Sequence, residues 1–148
     1  LSYVVISNEV KRQQFARTLE QSSIGIVNRF AFEAATAAYD ESEDWLEAVI
    51  DYIHENEKFV KNYFKKELPE ITIHELEATY LLWIDFRKLD LTLDELTTLI
   101  FRDAKVGLDG GDWFGPEGAG FMRMNLACPR SLIEEACEAI IRAVKSHT

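Results

Sequence analysis

The sequence predicts an α/β chain that ends in a compact α+β lobe. After Pro69, apolar and polar residues alternate in residues 80–86 and 121–127, which is the pattern of half-buried strands, and helical segments lie between them. Before Pro69, apolar residues recur mainly at helical spacing, apart from a β-branched run at residues 3–6. Strand and helix patterns therefore mix along the chain, and the mixture is densest in its last part.

Composition limits the classes of protein to which this chain can belong. The 148 residues are 47% hydrophobic and carry a net charge of -10, which favours a folded core and argues against a nucleic-acid partner. Cys128 and Cys137 have neither metal-ligand nor disulfide-framework spacing, so we expect no metal site and a reducing, cytoplasmic location. With no signal peptide and no apolar run long enough to span a bilayer, we expect no membrane partner.

The first 40 residues predict one strand and two helices. The β-branched run at residues 3–6 predicts a buried strand, interpreted as part of a larger sheet because no partner lies nearby in sequence. Ser7 or Asn8 can cap a helix over Glu9–Gln21, and the alanine-rich residues 29–39 predict a second helix.

A long helix is predicted next. Acidic residues at 40–43 suit the start of a helix that runs to about Lys66, with Pro69 as its stop. Its apolar residues keep helical spacing: Trp45, Val49, Ile53, Val60 and Tyr63. At about 1.5 Å of rise per residue, such a helix is long enough to bridge two lobes.

The last 80 residues predict four strands and two capped helices. The strands are predicted at residues 71–73, 80–86, 105–108 and 121–127. Thr92 with Glu95, and Ser131 with Glu134, are spaced as capping boxes that open helices. The closing helix is predicted to turn Leu132, Ala136, Ile140 and Val144 inward.

The glycine-rich residues 109–120 and the strand after them form the candidate site. This stretch holds five of the seven glycines, and the strand alternates an apolar face with a face that carries Arg123 and Asn125. Loop, strand and closing helix together could hold a small anion. Spacing alone leaves open a plainer interpretation, a connecting loop followed by a solvated arginine.

Several segments resemble one enzyme family. They are residues 77–87 (EATYLLWIDFR), 105–108 (KVGL), Gly111, 113–115 (WFG) and 123–130 (RMNLACPR). This set resembles the C-terminal part of pyridoxal-phosphate (PLP) enzymes of the class I/II aminotransferase fold, in the cystathionine β-lyase-like (C–S lyase, MalY/PatB) branch. The Arg-x-Asn-x-x-Cys-Pro-Arg ending is specific to that branch.

The resemblance implies a domain plan. It predicts the PLP-dependent transferase fold type I, represented by the small domain plus the last strand and helices of the large domain. Residues 1–40 would end the large PLP-binding domain, residues 41–67 would form the interdomain helix, and residues 68–148 would form the small α+β domain.

The resemblance also implies that a catalytic group lies elsewhere. In the family, the lysine that forms the Schiff base with PLP lies in a Ser-x-Ser-Lys-like motif ahead of a strand resembling residues 1–6. That motif is absent, and neither Lys105 nor the other seven lysines matches the catalytic position. We therefore expect a C-terminal piece of a longer enzyme, with no covalently bound PLP and no activity by itself.

The resemblance assigns substrate-binding roles to five residues of the lobe. Arg123 occupies the family's carboxylate-binding position, and Asn125 shares its strand face. Trp113, Phe114 and Gly111 belong to the loop on the substrate side, although ordinary lobe packing explains the two aromatic residues equally well.

The family forms homodimers with composite sites. In them, the loop that matches residues 21–28 reaches toward the neighbouring subunit's active site, which makes Asn28 a candidate partner-site residue. A simple helix cap is the alternative role for Asn28.

Three functions remain open from the sequence. The first is a C–S lyase that eliminates from cystathionine or cysteine-like amino acids, and the second is a transaminase on the same fold. The third belongs to another class, a free-standing, non-catalytic interaction domain.

Overall fold

The fold divides into two units along the chain. A computed structural model describes residues 2–24 and 27–147, so Gly25 and Ile26 of the predicted loop lie outside the described residues. The two units are Leu1–Glu47 and Ala48–Thr148.

The first unit is helical, and its predicted helices are confirmed. Helix α1 spans Glu9–Gln21, and Asn8 caps it by accepting a hydrogen bond from the Lys11 backbone N–H at 3.0 Å. Helix α2 spans Arg29–Asp40, and the Asn28 side chain accepts from the Ala31 backbone N–H at 2.9 Å. Asn28 thus caps α2, and the partner-site role expected for it stays a prediction.

The strand predicted at residues 3–6 does not form among the described residues, and its place in a larger sheet stays a prediction. These residues have no regular secondary structure, and the side chains of Tyr3 and Val5 are 81% and 84% exposed. A strand exists only when a neighbour pairs with its backbone, and no described residue does so here. No described residue of this unit is buried, so its β-branched side chains have no core to enter.

A four-stranded antiparallel sheet forms the centre of the second unit. Its strands are β1 (Thr72–Ile73), β2 (Leu81–Asp85), β3 (Asp109–Gly110) and β4 (Phe121–Asn125), in the order β1-β2-β4-β3. Three of the four predicted strands are thereby confirmed, with slightly shorter bounds.

One face of this sheet carries the core. Alternation along β2 and β4 buries Leu82, Ile84, Met122 and Met124 to at most 3% exposure. Helix α3 spans Glu43–Glu67 and helix α5 spans Arg130–His147. Both supply buried residues to the same cluster, among them Val60, Phe64, Cys137 and Ile140.

The strand predicted at residues 105–108 is wrong. Helix α4 (Leu93–Thr98) has the predicted Thr92–Glu95 capping box, but it continues as a π-helical turn over Leu99–Asp103. The Val106 N–H then donates to the Ile100 carbonyl at 3.0 Å, and Lys105 is left-handed with φ of 57°. Backbone groups expected to pair in a strand therefore close the helix instead.

The start of α5 corrects two further details. The helix begins at Arg130, so Ser131 lies in its first turn rather than at the N-cap. Leu132 is 53% exposed, whereas its neighbour Ile133 is 2% exposed. Adjacent apolar residues satisfy helical periodicity equally well, and only the contact with the core selects which of them is buried.

A buried amide joins three parts of this unit. The Asn56 side-chain NH2 on α3 donates to the Leu126 carbonyl at 2.8 Å and to the Cys128 carbonyl at 3.3 Å. Its oxygen accepts from Arg130 Nε at 2.7 Å, and the Arg130 guanidinium lies 4.8 Å from the centre of the Phe59 ring. Arg130 therefore anchors the turn that follows Pro129.

Candidate active-site face

The sheet face opposite the core presents a polar row across three strands. Trp83 of β2 pairs in register with Arg123 of β4, and Arg123 pairs with Asp109 of β3. Residues directly opposite each other in an antiparallel sheet project to the same side. The register therefore places an indole, a guanidinium and a carboxylate side by side.

Arg123 is held by contacts of two kinds. Its Nε and Nη2 donate to one oxygen of Asp109, Oδ2, at 3.1 and 2.6 Å. Its guanidinium carbon also lies 4.4 Å from the centre of the Phe114 ring. Charge-assisted hydrogen bonds and a cation–π contact together fix the plane of the guanidinium. The side chain remains 24% exposed, which leaves part of it available to a ligand.

Asn125 lies on the same strand face but is engaged elsewhere. Its side-chain oxygen accepts from the Ala127 backbone N–H at 2.8 Å, across the end of β4. Within the described part of the chain it makes no hydrogen bond to Arg123.

An aromatic cluster lies beside this row. Trp83 meets Phe114 and Phe121 edge to face, at centroid distances of 5.5 and 6.1 Å. With His74 and the acidic residues around them, these rings line an open groove of about 660 Å³. The lining residues are His74, Glu75, Glu77, Trp83, Phe114, Glu117, Gly118 and Phe121. Trp113 is 67% exposed and does not line this groove.

The glycine loop is packed against itself and the strand that follows it. A Cβ at Gly111 would lie 2.8 Å from Phe121 Cβ and 2.9 Å from the Phe121 carbonyl oxygen, and would also meet the Gly118 carbonyl. Only glycine permits this approach. The compact loop, built from the short helical turns Gly111–Phe114 and Pro116–Gly118, places Phe114 over Arg123.

A second ion pair lies against Phe121, one of the residues that line the groove. Arg87 Nε and Nη2 donate to the two oxygens of Asp85 at 3.0 and 2.8 Å, and its guanidinium carbon lies 4.5 Å from the centre of the Phe121 ring. Hydrogen bonds from Arg87 hold the pKa of Asp85 below its usual value. Glu75, which lines the groove, forms an ion pair with Lys61 at 2.7 Å.

The cysteines and lysines among the described residues are poorly placed to act as nucleophiles. Burial raises the pKa of the Cys137 thiol to about 12, and burial also raises the pKa of Cys128. Seven of the lysines are exposed, and Lys61 is half-buried and ion-paired with Glu57 and Glu75. A lysine that forms a Schiff base must lose its proton, and desolvation favours that loss. Solvent-exposed positions do not desolvate a lysine.

The described residues provide neither a metal-binding cluster nor a membrane-spanning helix. Among residues 2–24 and 27–147, no cluster of three or more His, Cys, Asp or Glu side chains could hold a metal ion. None of the described helices has both the length and the apolar character needed to cross a membrane.

Comparison with known proteins places this face in a family context. No protein-family model matches the sequence. The chain is 33% identical over 143 residues to cystathionine β-lyase PatB of Bacillus subtilis, covering 97% of the chain and 37% of PatB. It is 29% identical over 146 residues to MalY of Escherichia coli, covering 98% of the chain and 37% of MalY.

A solved structure agrees with the sequence matches. Cystalysin from Treponema denticola, which contains a pyridoxal 5'-phosphate cofactor, superposes with a TM-score of 0.90 and 34% identity. The match covers 97% of this chain and 36% of cystalysin. The chain thus spans little more than a third of the length of the relatives it matches.

These matches define the class of protein to which the chain is related. It has the fold of the C-terminal portion of PLP-dependent enzymes of the aminotransferase class. Within that class, it is a homologue of the C-terminal part of the cystathionine β-lyases of the PatB/MalY group.

Sequence reasoning missed one member of the polar row. The sequence pattern assigns Asp109 to the start of the glycine loop, whereas it belongs to β3 and pairs with Arg123. A strand of two residues is too short for alternation to reveal it. The sequence shows only an acidic residue 14 positions before an arginine. That spacing predicts a contact only once the pairing of β3 with β4 is known.

Proposed function

We propose that the whole protein is a PLP-dependent C–S lyase of the cystathionine β-lyase type, and that this chain carries its substrate-carboxylate site. The observation that carries the proposal is Arg123, held on the exposed sheet face of a chain homologous to C–S lyases. The names of the matched relatives favour a lyase over the transaminase that the sequence also left open.

The chemistry of Arg123 fits an amino-acid carboxylate. A guanidinium has five N–H donors in a planar arrangement that matches a carboxylate bidentately. Asp109 uses the donors on one edge, so the opposite edge remains for a second carboxylate. The aromatic groove beside it, about 660 Å³ in volume, suits the apolar thioether portion of a cysteine-like substrate.

The residues of this chain suit the substrate better than the cofactor. PLP, when bound, supplies an electron sink for a carbanion at the substrate Cα. Because the lysines described here are exposed or ion-paired, the lysine that binds PLP belongs to another portion of the protein in this proposal. The chain by itself is then expected to bind no PLP covalently and to be inactive.

The same proposal includes an assembly. The active protein is a cytoplasmic homodimer in which residues 1–40 belong to the large domain, residues 41–67 form the interdomain helix and residues 68–148 form the small domain. The absence of any buried residue in the described part of the first unit supports this, because its exposed apolar side chains need a cover. Asn28 lies in the segment expected to approach the neighbouring subunit.

Substitution of Arg123 in the full-length enzyme tests the function. Arg123→Ala leaves the substrate carboxylate without its charge-assisted pair, a loss of about 2–5 kcal/mol. At about 1.4 kcal/mol per tenfold, kcat/KM for a cysteine conjugate falls by roughly two to three orders of magnitude. Arg123→Lys recovers little, because an ammonium cannot donate two parallel bonds from one plane.

Arg102 provides the matched control. It is exposed and makes no ion pair with a described residue, so Arg102→Ala should leave kcat/KM unchanged. The absorbance of bound PLP should be normal in all these variants. Normal efficiency in Arg123→Ala would remove the site assignment, and loss of PLP or of folding would make Arg123 a structural residue.

A further inference from the structure

One oxygen of Asp109 occupies one edge of the Arg123 guanidinium. Nε and Nη2 both donate to Asp109 Oδ2, at 3.1 and 2.6 Å. A guanidinium has two edges at which two N–H groups point in parallel, one formed by Nε with Nη2 and the other by Nη1 with Nη2. The first edge is therefore taken, while the second retains both of its donors.

The Phe114 ring restricts rotation of the guanidinium. The guanidinium carbon lies 4.4 Å from the centre of the Phe114 ring. Trp83 is the cross-strand neighbour of Arg123 on β2, on the side away from Asp109. Asp109 is fixed by its own pairing in β3 and is 41% exposed at its side chain. An arginine without such partners samples many rotamers, and ordering one on binding costs about 0.5–1.5 kcal/mol.

We propose that Asp109 is a positioning residue, which holds Arg123 so that the Nη1–Nη2 edge faces the substrate carboxylate. This inference rests on the proposed function, since it names a second residue of the same carboxylate site. Asp109 does not itself touch the substrate in this arrangement. Its contribution is to order the guanidinium before the ligand arrives.

A competing account predicts the opposite effect on KM. If Asp109 were only an internal competitor for the guanidinium, removing it would free donors and raise the affinity for carboxylates. If Asp109 positions Arg123, removing it lowers that affinity. An asparagine separates the hydrogen bonds from the charge, because its amide oxygen accepts the same two bonds without a negative charge.

The test uses the full-length, PLP-loaded enzyme with Asp109→Ala and Asp109→Asn. Steady-state β-elimination of an S-alkyl cysteine gives KM and kcat, and acetate as a competitive inhibitor gives a second measure of carboxylate affinity. We expect Asp109→Ala to raise KM and the acetate inhibition constant by about 2- to 10-fold, the cost of ordering one long side chain. We expect kcat to change by less than twofold and Asp109→Asn to restore both constants.

Asp103 gives a charge-matched control. It is exposed and has no ion pair within the described residues, so Asp103→Ala should behave as wild type. An unchanged or lower KM in Asp109→Ala would overturn the inference, as would an Asp109→Asn variant impaired to the same extent as Asp109→Ala. A lower melting temperature without a change in KM would make Asp109 structural and would also overturn it.

The outcomes separate this inference from the function on which it rests. A wild-type enzyme that cleaves no cysteine conjugate contradicts the proposed function. An enzyme impaired by Arg123→Ala but unaffected by Asp109→Ala keeps the function and refutes only the positioning role.

Discussion

Replacement of Asn56 by alanine should destabilise the second unit by far more than its single side chain suggests. The Leu126 carbonyl is buried and accepts from Asn56 at 2.8 Å, so the substitution leaves a buried acceptor without that donor, at a cost of about 1–3 kcal/mol. Loss of the 2.7 Å bond from Arg130 Nε adds about 1 kcal/mol, since Arg130 is only half-buried and its guanidinium can turn to water. The free energy of unfolding should fall by about 2–4 kcal/mol.

Asn62 on the same helix provides the reference. It is exposed, so Asn62→Ala reports the gain in helix propensity alone, about 0.5 kcal/mol. Urea unfolding followed by tryptophan fluorescence gives both values, and their difference isolates the buried network. If the free energies of unfolding of Asn56→Ala and Asn62→Ala differ by less than about 0.5 kcal/mol, the buried hydrogen-bond network does not stabilise the fold.

Two further predictions concern the sheet and its loop. Gly111→Ala should lower the melting temperature, because the new Cβ meets atoms of Phe121. Gly107→Ala is the control, since Gly107 has open space around it and the melting temperature should not change. Equal melting temperatures in the two variants would contradict the close packing of the loop. Asp85→Asn should flatten the fall in stability at acidic pH. Because Arg87 lowers the pKa of Asp85, this pair contributes fully above the unfolded pKa of about 4 and is lost as pH falls through the folded pKa. Urea midpoints from pH 3 to 7 check the second prediction, and an unchanged acid limb in Asp85→Asn would refute it.

The helices were predictable from sequence because their signals are local. Asn8 and the Thr92–Glu95 capping box mark helix starts through contacts within one turn. Strand formation is decided by distant partners, which explains why residues 3–6 share the composition of a buried strand yet pair with nothing described. The strand predicted at residues 105–108 does not form for a related reason, since α4 continues as a π-helical turn and the Val106 N–H donates to Ile100 of that turn.

The candidate site was predictable only in part. Alternation placed Arg123 on the face opposite Met122 and Met124, and the structure has that arrangement. The resemblance supplied its expected role, which spacing alone did not. Asp109 required the β3–β4 register, and no local pattern encodes a register that depends on how a glycine loop folds back.

The shared register of β2, β3 and β4 limits how this domain can change in evolution. Arg123 lies between Met122 and Met124, which are at most 3% exposed, so the position of the guanidinium depends on the parity of the strand. Inserting a single residue within β4 would exchange the two faces and drive the charge into the core, whereas two residues would preserve the parity. Changes in length are therefore expected in pairs within the strands, and single insertions only in the turns outside them.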